Sequence, residues 1–387
     1  MYTIKKLNSI DDVVHELMPA EAYALSADAT DPDGVLVRSA SMHDTAFGDN
    51  LAAIARAGAG VNNIPIDRAS KAGIVVFNTP GANANAVKEL VLAGLLLSGR
   101  RIVEGVNWVK TLAGRGDEVP TLVEKGKNDF VGPEIAGHRL GVVGLGAIGA
   151  QVANAAEQLD MLVSGYDPAL SVEAAWSLSR SVKRSLDLDE LVRTSDFITL
   201  HAPLIDKTRG MIGRKQFEQM KPDAVLLNFA RGELVDKEAL LWALDSGRLR
   251  LYVTDFPFEE LIGRPNVLTI PHLGASTPES ERNCAIMAAD QLRNYLEDGT
   301  IVNSVNFPEC CMPRSSSFRL AILHCNIAGM VGGIASTLAA ETHNIANMIN
   351  KSRGSYAYTL IDLDDKPTDK CVDALWKIEG VLKVRVL

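Results

Sequence analysis

A glycine-rich turn, Gly144-Leu-Gly-Ala-Ile-Gly149, follows a short apolar run from Leu140 to Val143. Apolar residues at helical spacing come directly after it, so the turn is expected to join a buried parallel strand to a helix. Gly144 permits the tight bend, Gly146 lets the backbone approach a pyrophosphate, and Gly149 lets the helix pack closely on the strand. The pattern predicts a dinucleotide site with its anion at a helix N-terminus, the alternative being a glycine turn in an unrelated α/β domain.

An acidic residue, Asp167, lies 18 residues after Gly149 and ends the second predicted strand, Met161 to Tyr166. A carboxylate at this place can accept hydrogen bonds from the ribose hydroxyls of adenosine and repels a 2′-phosphate. Pro168 and Ala169 follow it, where an arginine or lysine would favour the phosphorylated cofactor. The sequence therefore favours NAD over NADP.

Polar side chains follow three later strands of the same predicted sheet. Arg231 follows the strand that ends at Asn228, Asp255 ends the next strand with Glu260 in the loop after it, and His272 follows the last strand. Open α/β sheets bind ligands at the carboxyl ends of their strands. A guanidinium can grip a substrate carboxylate, an imidazole can take a hydroxyl proton, and a carboxylate can orient the ring. Together they suit oxidation of a 2-hydroxy acid, although each alone is also a common structural residue.

Alternating strand and helix patterns place these residues. Residues 1 to about 80 read as a small α/β domain with strands at Gly34–Arg38 and Gly73–Asn78 and a helix at Leu51–Arg56. Asn85 to about Val106 is an apolar helix, and residues 107–137 are expected to form an arm or loop. Repeated βα units then continue to Ile270 and predict a doubly wound parallel sheet, followed by a helix from Pro278.

The last 70 residues or so follow a linker, residues 307–317, and change pattern. Their order of strand, helix, strand, strand, helix, strand predicts a ferredoxin-like domain. The predicted segments are Phe318–Cys325, Met330–Ala340, Ile345–Asn350, Tyr356–Leu363, Asp369–Ile378 and Val381–Leu387.

The composition of the chain limits the classes of partner and of cellular setting that are expected. The chain has 387 residues, 47% of them hydrophobic and 22% charged, and a net charge of −9, which argues against nucleic acid or an anionic membrane as partner. No apolar run has the length of a signal peptide core at the N-terminus or of a membrane span elsewhere. Five cysteines without C-x-x-C spacing fit reduced thiols in a cytoplasm, and no metal site is expected.

Three motifs together resemble the D-isomer-specific 2-hydroxyacid dehydrogenase family: Gly144–Gly149, Asn228-Phe-Ala-Arg-Gly-Glu-Leu-Val-Asp236 and Pro271-His-Leu-Gly-Ala-Ser-Thr277. The resemblance covers essentially the whole chain, including a C-terminal segment similar to an ACT regulatory domain. It implies a Rossmann-like NAD domain beside a smaller flavodoxin-like substrate domain. The expected boundaries are residues 1–84 and 277–306 for the substrate domain, 85–276 for the NAD domain and 318–387 for the ACT-like domain.

The resemblance also implies roles for residues. Arg231, Glu260 and His272 correspond to the catalytic residues, and the family's phosphoglycerate-oxidising members make 3-phosphoglycerate the leading substrate. The residues expected to contact NAD are Gly144, Gly146, Ala147, Ile148, Gly149, Asp167, Phe229, Ala230, Arg231, Asp255, His272 and Gly274. The residues expected to contact substrate are Arg38, Ser39, Gly60, Val61, Asn62 and Lys110, of which Lys110 is expected to reach a neighbouring subunit.

Two departures from the family pattern matter. The family often reads Asp-Val-Phe where this chain has Asp255-Phe-Pro-Phe-Glu-Glu, so Glu260 is favoured by spacing but Glu259 stays open. Some phosphoglycerate enzymes carry two arginines where this chain has Arg38-Ser-Ala40, so one expected phosphate contact is missing. Another D-2-hydroxy acid, such as glycerate or a longer phosphorylated one, is therefore an alternative substrate.

The C-terminal segment is expected to bind L-serine. His324, Asn326 and Asn344 offer donors for a carboxylate and acceptors for an ammonium, and they match the positions that serine-sensing ACT domains use. Such sites usually form between two paired copies, which implies a homodimer or homotetramer. Two alternatives remain: His324 and Asn326 merely cap the helix from Met330, or the whole chain is a non-catalytic NAD- and amino-acid-responsive binding protein.

Overall fold

The computed structural model describes the backbone of all 387 residues and every side chain except that of Glu173. The chain forms two compact units, one of Met1–Asn83 with Pro278–Leu387 and the other of Ala84–Thr277. The predicted domain boundaries stay predictions. Among the described residues, none of the helices combines the length and apolar character that crossing a bilayer requires.

The first unit begins with a five-stranded parallel sheet of order β2-β1-β3-β4-β5, which is the flavodoxin-like order that was expected. Apolar strands such as β3 are buried on both faces because helices cover parallel sheets. The strands are β1 Tyr2–Leu7, β2 Tyr23–Ser26, β3 Gly34–Val37, β4 Ala53–Arg56 and β5 Val75–Phe77. The helices before residue 84 are α1 Val14–Leu17 and α2 Ile66–Lys71.

The helix predicted at Leu51–Arg56 is wrong, because the segment contains strand β4 instead. Its residues Ala53, Ile54 and Ala55 are completely buried and pair on both sides, with β3 and with β5. A central parallel strand shows no alternation of polar and apolar residues, so its short alanine-rich run cannot be told from a buried helix by periodicity. Tertiary pairing decides the conformation here.

The second unit contains a seven-stranded parallel sheet of order β12-β11-β10-β9-β6-β7-β8. The glycine turn follows β6, which lies where the strand order reverses, as in the dinucleotide-binding folds that were predicted. The strands are β6 Arg139–Val143, β7 Leu162–Tyr166, β8 Lys183–Arg184, β9 Phe197–Leu200, β10 Val225–Asn228, β11 Leu251–Thr254 and β12 Val267–Thr269.

The second unit also contains eight α-helices in its described backbone. They are α3 Ala84–Gly99, α4 Ile102–Lys110, α5 Val119–Gly126, α6 Ala147–Glu157, α7 Val172–Ser177, α8 Leu188–Thr194, α9 Arg214–Gln219 and α10 Lys237–Asp245. The single helix expected from Asn85 to about Val106 is interrupted at Arg100 and Arg101. The segment expected as an arm or loop, residues 107–137, is largely helical. Its amphipathic pieces pack on each other through Trp108 and Phe130, whose rings are 5.4 Å apart.

The chain returns to the first unit through the long helix α11, Pro278–Asp298. It then forms a four-stranded antiparallel sheet of order β14-β15-β13-β16 with two helices, which confirms the ferredoxin-like arrangement. These elements are β13 Phe318–Cys325, α12 Met330–Ala340, β14 Ile345–Arg353, β15 Tyr356–Leu363, α13 Asp369–Trp376 and β16 Val381–Val386.

The C-terminal sheet has two buried faces. One face packs under α12 and α13, and the other contributes Leu323 and Tyr358 to a hydrophobic core that also contains Tyr295 of α11. A buried ion pair joins Arg319 to Asp362, with Nε 2.6 Å from Oδ1. The segment predicted as a linker also enters this core, because Phe307 and Cys310 are buried. The C-terminal domain is thus packed into the first unit rather than tethered to it.

Candidate active site

The glycine turn after β6 has the geometry that a pyrophosphate requires. Gly144 has φ +89°, where a side chain would be strained, and a Cβ at Gly149 would lie 1.9 Å from the carbonyl oxygen of Gly144. A Cβ at Gly146, in contrast, would meet nothing within 4 Å. The helix α6 begins at Ala147, directly after this open position, so its first-turn N–H groups have no partners within the helix. The residues present therefore fit an anion held by backbone amides.

Asp167 lies beside this turn and fixes it. Its Oδ2 accepts the Leu145 N–H at 2.8 Å, and its Oδ1 accepts the Ala169 N–H at 2.8 Å. Strand β8 pairs with β7 and brings Lys183 and Arg184 near this carboxylate. The sequence did not indicate these two cations, because the pairing of β8 depends on the fold. The residues that line the resulting concavity of about 300 Å³ are Leu145, Gly165, Asp167, Pro168, Leu170, Leu178, Val182, Lys183 and Arg184.

His201 is a residue of this site that sequence reasoning missed. It follows β9, and its backbone carbonyl carbon would lie 2.7 Å from a Cβ at Gly144. Its Nε2 lies 3.0 Å from the Thr199 hydroxyl, and burial lowers the pKa of its imidazole to about 3. The ring is consequently neutral near pH 7 and supports the turn. The sequence contained one indication of this role, because His201 lies at the end of a predicted strand in Leu200-His-Ala-Pro203.

Arg231 is presented by a tight turn after β10. The Asn228 side chain, which is completely buried, donates to the Arg231 carbonyl oxygen at 2.8 Å and accepts the Ala230 N–H at 3.2 Å. The half-buried guanidinium of Arg231 donates to the Ala230 carbonyl oxygen at 2.6 Å. Phe229 is buried below the turn. Asn228 therefore shapes the turn, a role that the sequence alone did not indicate.

Asp255 lies close to the residues after β12. Its Oδ2 accepts the Gly274 N–H at 3.2 Å, and the neighbouring Phe256 packs on His272 with ring centroids 4.7 Å apart. Burial raises the pKa of the Asp255 carboxyl, while the charges of His272 and Arg231 act to lower that pKa. Among the described residues its buried Oδ1 has no hydrogen-bond partner. That oxygen can accept a carboxamide N–H, so the group fits the nicotinamide end of NAD.

Glu260 is paired with a residue outside this cluster. Its carboxylate is exposed and 2.6 Å from the Lys237 ammonium, and that hydrogen bond lowers the pKa of the Glu260 carboxyl. Glu259 is exposed in the same 3₁₀ turn, Glu259–Leu261. The structure thus gathers Arg231, Asp255 and His272 and leaves Glu260 with a different partner. The assignment of Glu260 to His272 stays a prediction.

The expected substrate residues of the first unit are held close together. Asn63, directly after Gly60-Val-Asn62, donates to the carbonyl oxygens of Arg38 and Ala40, the latter at 2.8 Å. The two loops are therefore tied to each other. Lys110 lies in the second unit at the exposed end of α4, with its Nζ 3.4 Å from the Asn107 side-chain oxygen.

The three expected effector residues do not meet within one chain. His324 is buried, with Nε2 2.8 Å from the Thr359 hydroxyl, and the exposed Asn326 donates to the Gly354 carbonyl oxygen. The Asn344 side-chain amide donates to the Asp364 carboxylate. Because β13 and β15 are antiparallel, Asp364 follows β15 at the end of the sheet opposite to Asn326. The alternative in which His324 and Asn326 cap α12 is wrong, because Gly329 is the N-cap residue and no side chain bonds there. Among the described side chains no cluster suited to a metal ion occurs.

Comparisons with known proteins agree with this geometry. Residues 92–274 match the family model described as D-isomer specific 2-hydroxyacid dehydrogenase, NAD binding domain. A crystal structure of NAD⁺-bound 3-phosphoglycerate dehydrogenase from Entamoeba histolytica superposes with a TM-score of 0.63 at 25% identity, covering 79% of this chain and 98% of that one. The expected fold and the expected cofactor class are confirmed by these matches.

Curated relatives carry the same name. The D-3-phosphoglycerate dehydrogenase of Escherichia coli is 33% identical over 341 residues, which are 85% of this chain and 79% of that protein. That of Methanocaldococcus jannaschii is 36% identical over 307 residues, which are 78% of this chain. The chain spans 56% of the length of the M. jannaschii protein and 60% of that of Archaeoglobus fulgidus. The chain belongs to the D-isomer specific 2-hydroxyacid dehydrogenase family.

Proposed function

We propose that this protein is an NAD-dependent dehydrogenase that oxidises D-3-phosphoglycerate to 3-phosphohydroxypyruvate. The observation that carries the proposal is the gathering of Arg231, Asp255 and His272 at the carboxyl ends of strands in the sheet that also presents the open glycine turn. The names of the E. coli and M. jannaschii relatives support the choice of substrate. The five free thiols fit the expected cytoplasmic setting.

Each residue of the cluster has a chemical task in this proposal. Arg231 forms a bidentate pair with the substrate carboxylate and polarises the C2 oxygen. His272 accepts the C2 hydroxyl proton in oxidation and returns it in reduction. NAD, bound at the glycine turn, supplies the hydride acceptor for C2. Asp255 offers its unpaired Oδ1 to the nicotinamide carboxamide.

Glu260 is the proposed partner of His272, with Glu259 as the alternative. Glu260 is paired with Lys237, whereas His272 lies close enough to Asp255 for the two to interact electrostatically. The pH dependence of kcat in Glu260→Gln, Glu259→Gln and Asp255→Asn separates the possibilities. The assignment by sequence predicts that the Glu260→Gln profile moves most. A profile moved by either of the other two variants, with Glu260→Gln unchanged, would transfer the role.

The reaction is tested by NAD reduction across a panel of acids: D-3-phosphoglycerate, its L isomer, D-glycerate and D-lactate. We expect the phosphorylated D acid to have the highest kcat/KM. His272→Asn should lower kcat by about two to four powers of ten while NAD still binds by calorimetry. His15→Asn, at an exposed position of α1, is the matched control. NAD binding without turnover of any acid would favour the binding-protein alternative, and highest activity on D-glycerate would favour the other-acid alternative.

Serine regulation is a further part of the proposal. Antiparallel pairing of the exposed edge strand β14 with that of a second copy would bring Asn344 of one chain toward His324 and Asn326 of the other. Exposed apolar side chains on α4, such as Val106 and Val109, support a second subunit contact. A homodimer or homotetramer is therefore part of the proposal.

Serine binding is measured by calorimetry on the full chain, because removing the C-terminal domain would expose core residues such as Leu292 and Tyr295. We expect L-serine to bind and inhibit the wild type, with a coupling of about 1–3 kcal/mol. Asn326→Ala and Asn344→Ala should each weaken binding. Absence of serine binding to the intact chain would reject the sensor.

A further inference from the structure

The guanidinium of Arg38 is already paired in the ligand-free protein. Its Nη2 lies 2.7 Å from Oε1 of Glu281, in the first turn of α11, and both side chains are partly exposed, at 36% and 42%. An acidic residue is favourable at this helix N-terminus, so Glu281 is stabilised there independently of Arg38. The one cation of the Arg38-Ser-Ala40 loop is thus compensated by a carboxylate 243 residues away in the chain.

The backbone of the same loop is also satisfied. The Asn8 side-chain oxygen accepts the N–H groups of Ser39 at 3.0 Å and Ala40 at 2.8 Å, with that of Arg38 at 3.4 Å. Arg56 Nε donates to the Arg38 carbonyl oxygen at 3.0 Å. Because these amides are occupied and Ala40 carries no charge, an anion at this loop must be recognised by side chains, and above all by Arg38.

The helix that carries Glu281 is fixed at its other end by the C-terminal domain. Arg385 donates to the carbonyl oxygens of Tyr295 and Leu296 at 2.9 and 2.8 Å. Arg319 donates to the Asp298 carbonyl oxygen, and the Tyr358 hydroxyl donates to that of Gly299. These donors satisfy the last carbonyl groups of α11, and the two guanidinium groups lie at the negative end of its dipole. Glu281 is therefore placed by a capped helix rather than by a loop.

We propose that Glu281 is a specificity-determining residue that competes with the anionic tail of the substrate for Arg38. The inference rests on the proposed function, since it takes the tail to be the phosphate of a 2-hydroxy acid. A tail with two negative charges displaces Glu281 from Arg38, whereas the hydroxymethyl end of glycerate does not. An exposed pair contributes little to stability, so this competition costs the phosphorylated substrate at most about fivefold in affinity.

Calorimetry on the full chain tests the inference with D-3-phosphoglycerate and D-glycerate as probes. The ratio of their dissociation constants should shift about three- to fivefold toward the phosphorylated acid in Glu281→Gln. Arg38→Met should remove this shift, so that Arg38→Met and Arg38→Met/Glu281→Gln have the same ratio. Glu279→Gln, at an exposed position in the same first turn of α11, serves as the matched charge control and should leave the ratio as in the wild type.

Two results would overturn the inference. A ratio that is unchanged or moves toward glycerate in Glu281→Gln would make Glu281 a support for Arg38 rather than its competitor. The same shift in the Arg38→Met background would show a general charge effect. Failure of the proposed function is recognised separately, because a wild-type chain that neither binds nor oxidises D-3-phosphoglycerate rejects both, whereas an unchanged ratio with normal oxidation rejects only the role of Glu281.

Discussion

Two loops of this protein follow parallel strands and are both expected to meet an anion, yet they are built in opposite ways. The turn from Gly144 to Gly149 leaves open space at Gly146 and unpaired N–H groups at the start of α6. The loop Arg38–Ala40 has its amides bonded to Asn8 and its cation paired with Glu281. The first loop is ready for its ligand, and the second must exchange a contact to bind one.

The contrast between the two loops shows which kind of anion recognition can be found in the local sequence. Backbone recognition needs glycines at fixed local spacing, so a six-residue pattern contains nearly all of it. Side-chain recognition at Arg38 depends on partners that are 30 and 243 residues distant in the sequence, Asn8 and Glu281. Only the fold brings those partners together. Mutations can therefore break the two loops in distinguishable ways.

Of the two loops, the glycine turn is expected to show the larger effects. A Cβ at Gly149 would overlap the Gly144 carbonyl oxygen, so Gly149→Ala should lower the free energy of unfolding by about 1–3 kcal/mol and weaken NAD binding with it. A Cβ at Gly146 meets no protein atom within 4 Å but would occupy the space proposed for the pyrophosphate. Gly146→Ala should therefore keep the thermal midpoint and weaken NAD binding by about tenfold or more, which corresponds to about 1.4 kcal/mol.

Thermal unfolding and NAD calorimetry measure the two variants. Gly332→Ala in α12 is the matched control, because its Cβ also meets nothing within 4 Å and lies in the C-terminal domain. It should leave NAD binding as it is. If Gly146→Ala binds NAD as tightly as the wild type, the open space at Gly146 is not the pyrophosphate site.

A smaller effect is expected from Asn8, which adopts φ +73°. Asn8→Gly tolerates this conformation but removes the acceptor for the loop amides, so KM for D-3-phosphoglycerate should rise about two- to fivefold as the loop loosens. Asn8→Asp keeps an acceptor and adds a negative charge, so it should preserve stability and still raise this KM. A lower KM in Asn8→Gly would mean that the freed amides bind the phosphate themselves.

Much of the fold could be predicted from periodicity. The helix α12 begins and ends where the pattern predicted, because an amphipathic helix with one buried face shows its period clearly. The helix predicted at Leu51–Arg56 failed because β4 is buried on both faces and has no period to read. The helices between residues 107 and 137 were missed because short amphipathic pieces resemble a charged loop.

The candidate site likewise has features that the local sequence predicts and features that depend on the fold. The glycine turn, Asp167 and the positions of Arg231 and His272 after strands follow from local sequence. Sequence could not place Asn228 under Arg231, or His201 under the glycine turn, because these contacts depend on which strands are neighbours. Nor could spacing reveal that Glu260 is paired with Lys237.

Backbone hydrogen exchange of the full chain, with and without ligands, tests the contrast between the two loops most directly. We predict that the amides of residues 147–149 exchange rapidly in the free protein and become protected by NAD. The amides of residues 38–40 should be protected already in the free protein and change little with D-3-phosphoglycerate, because Asn8 holds them. Rapid exchange at residues 38–40 that slows only when the substrate binds would contradict the account.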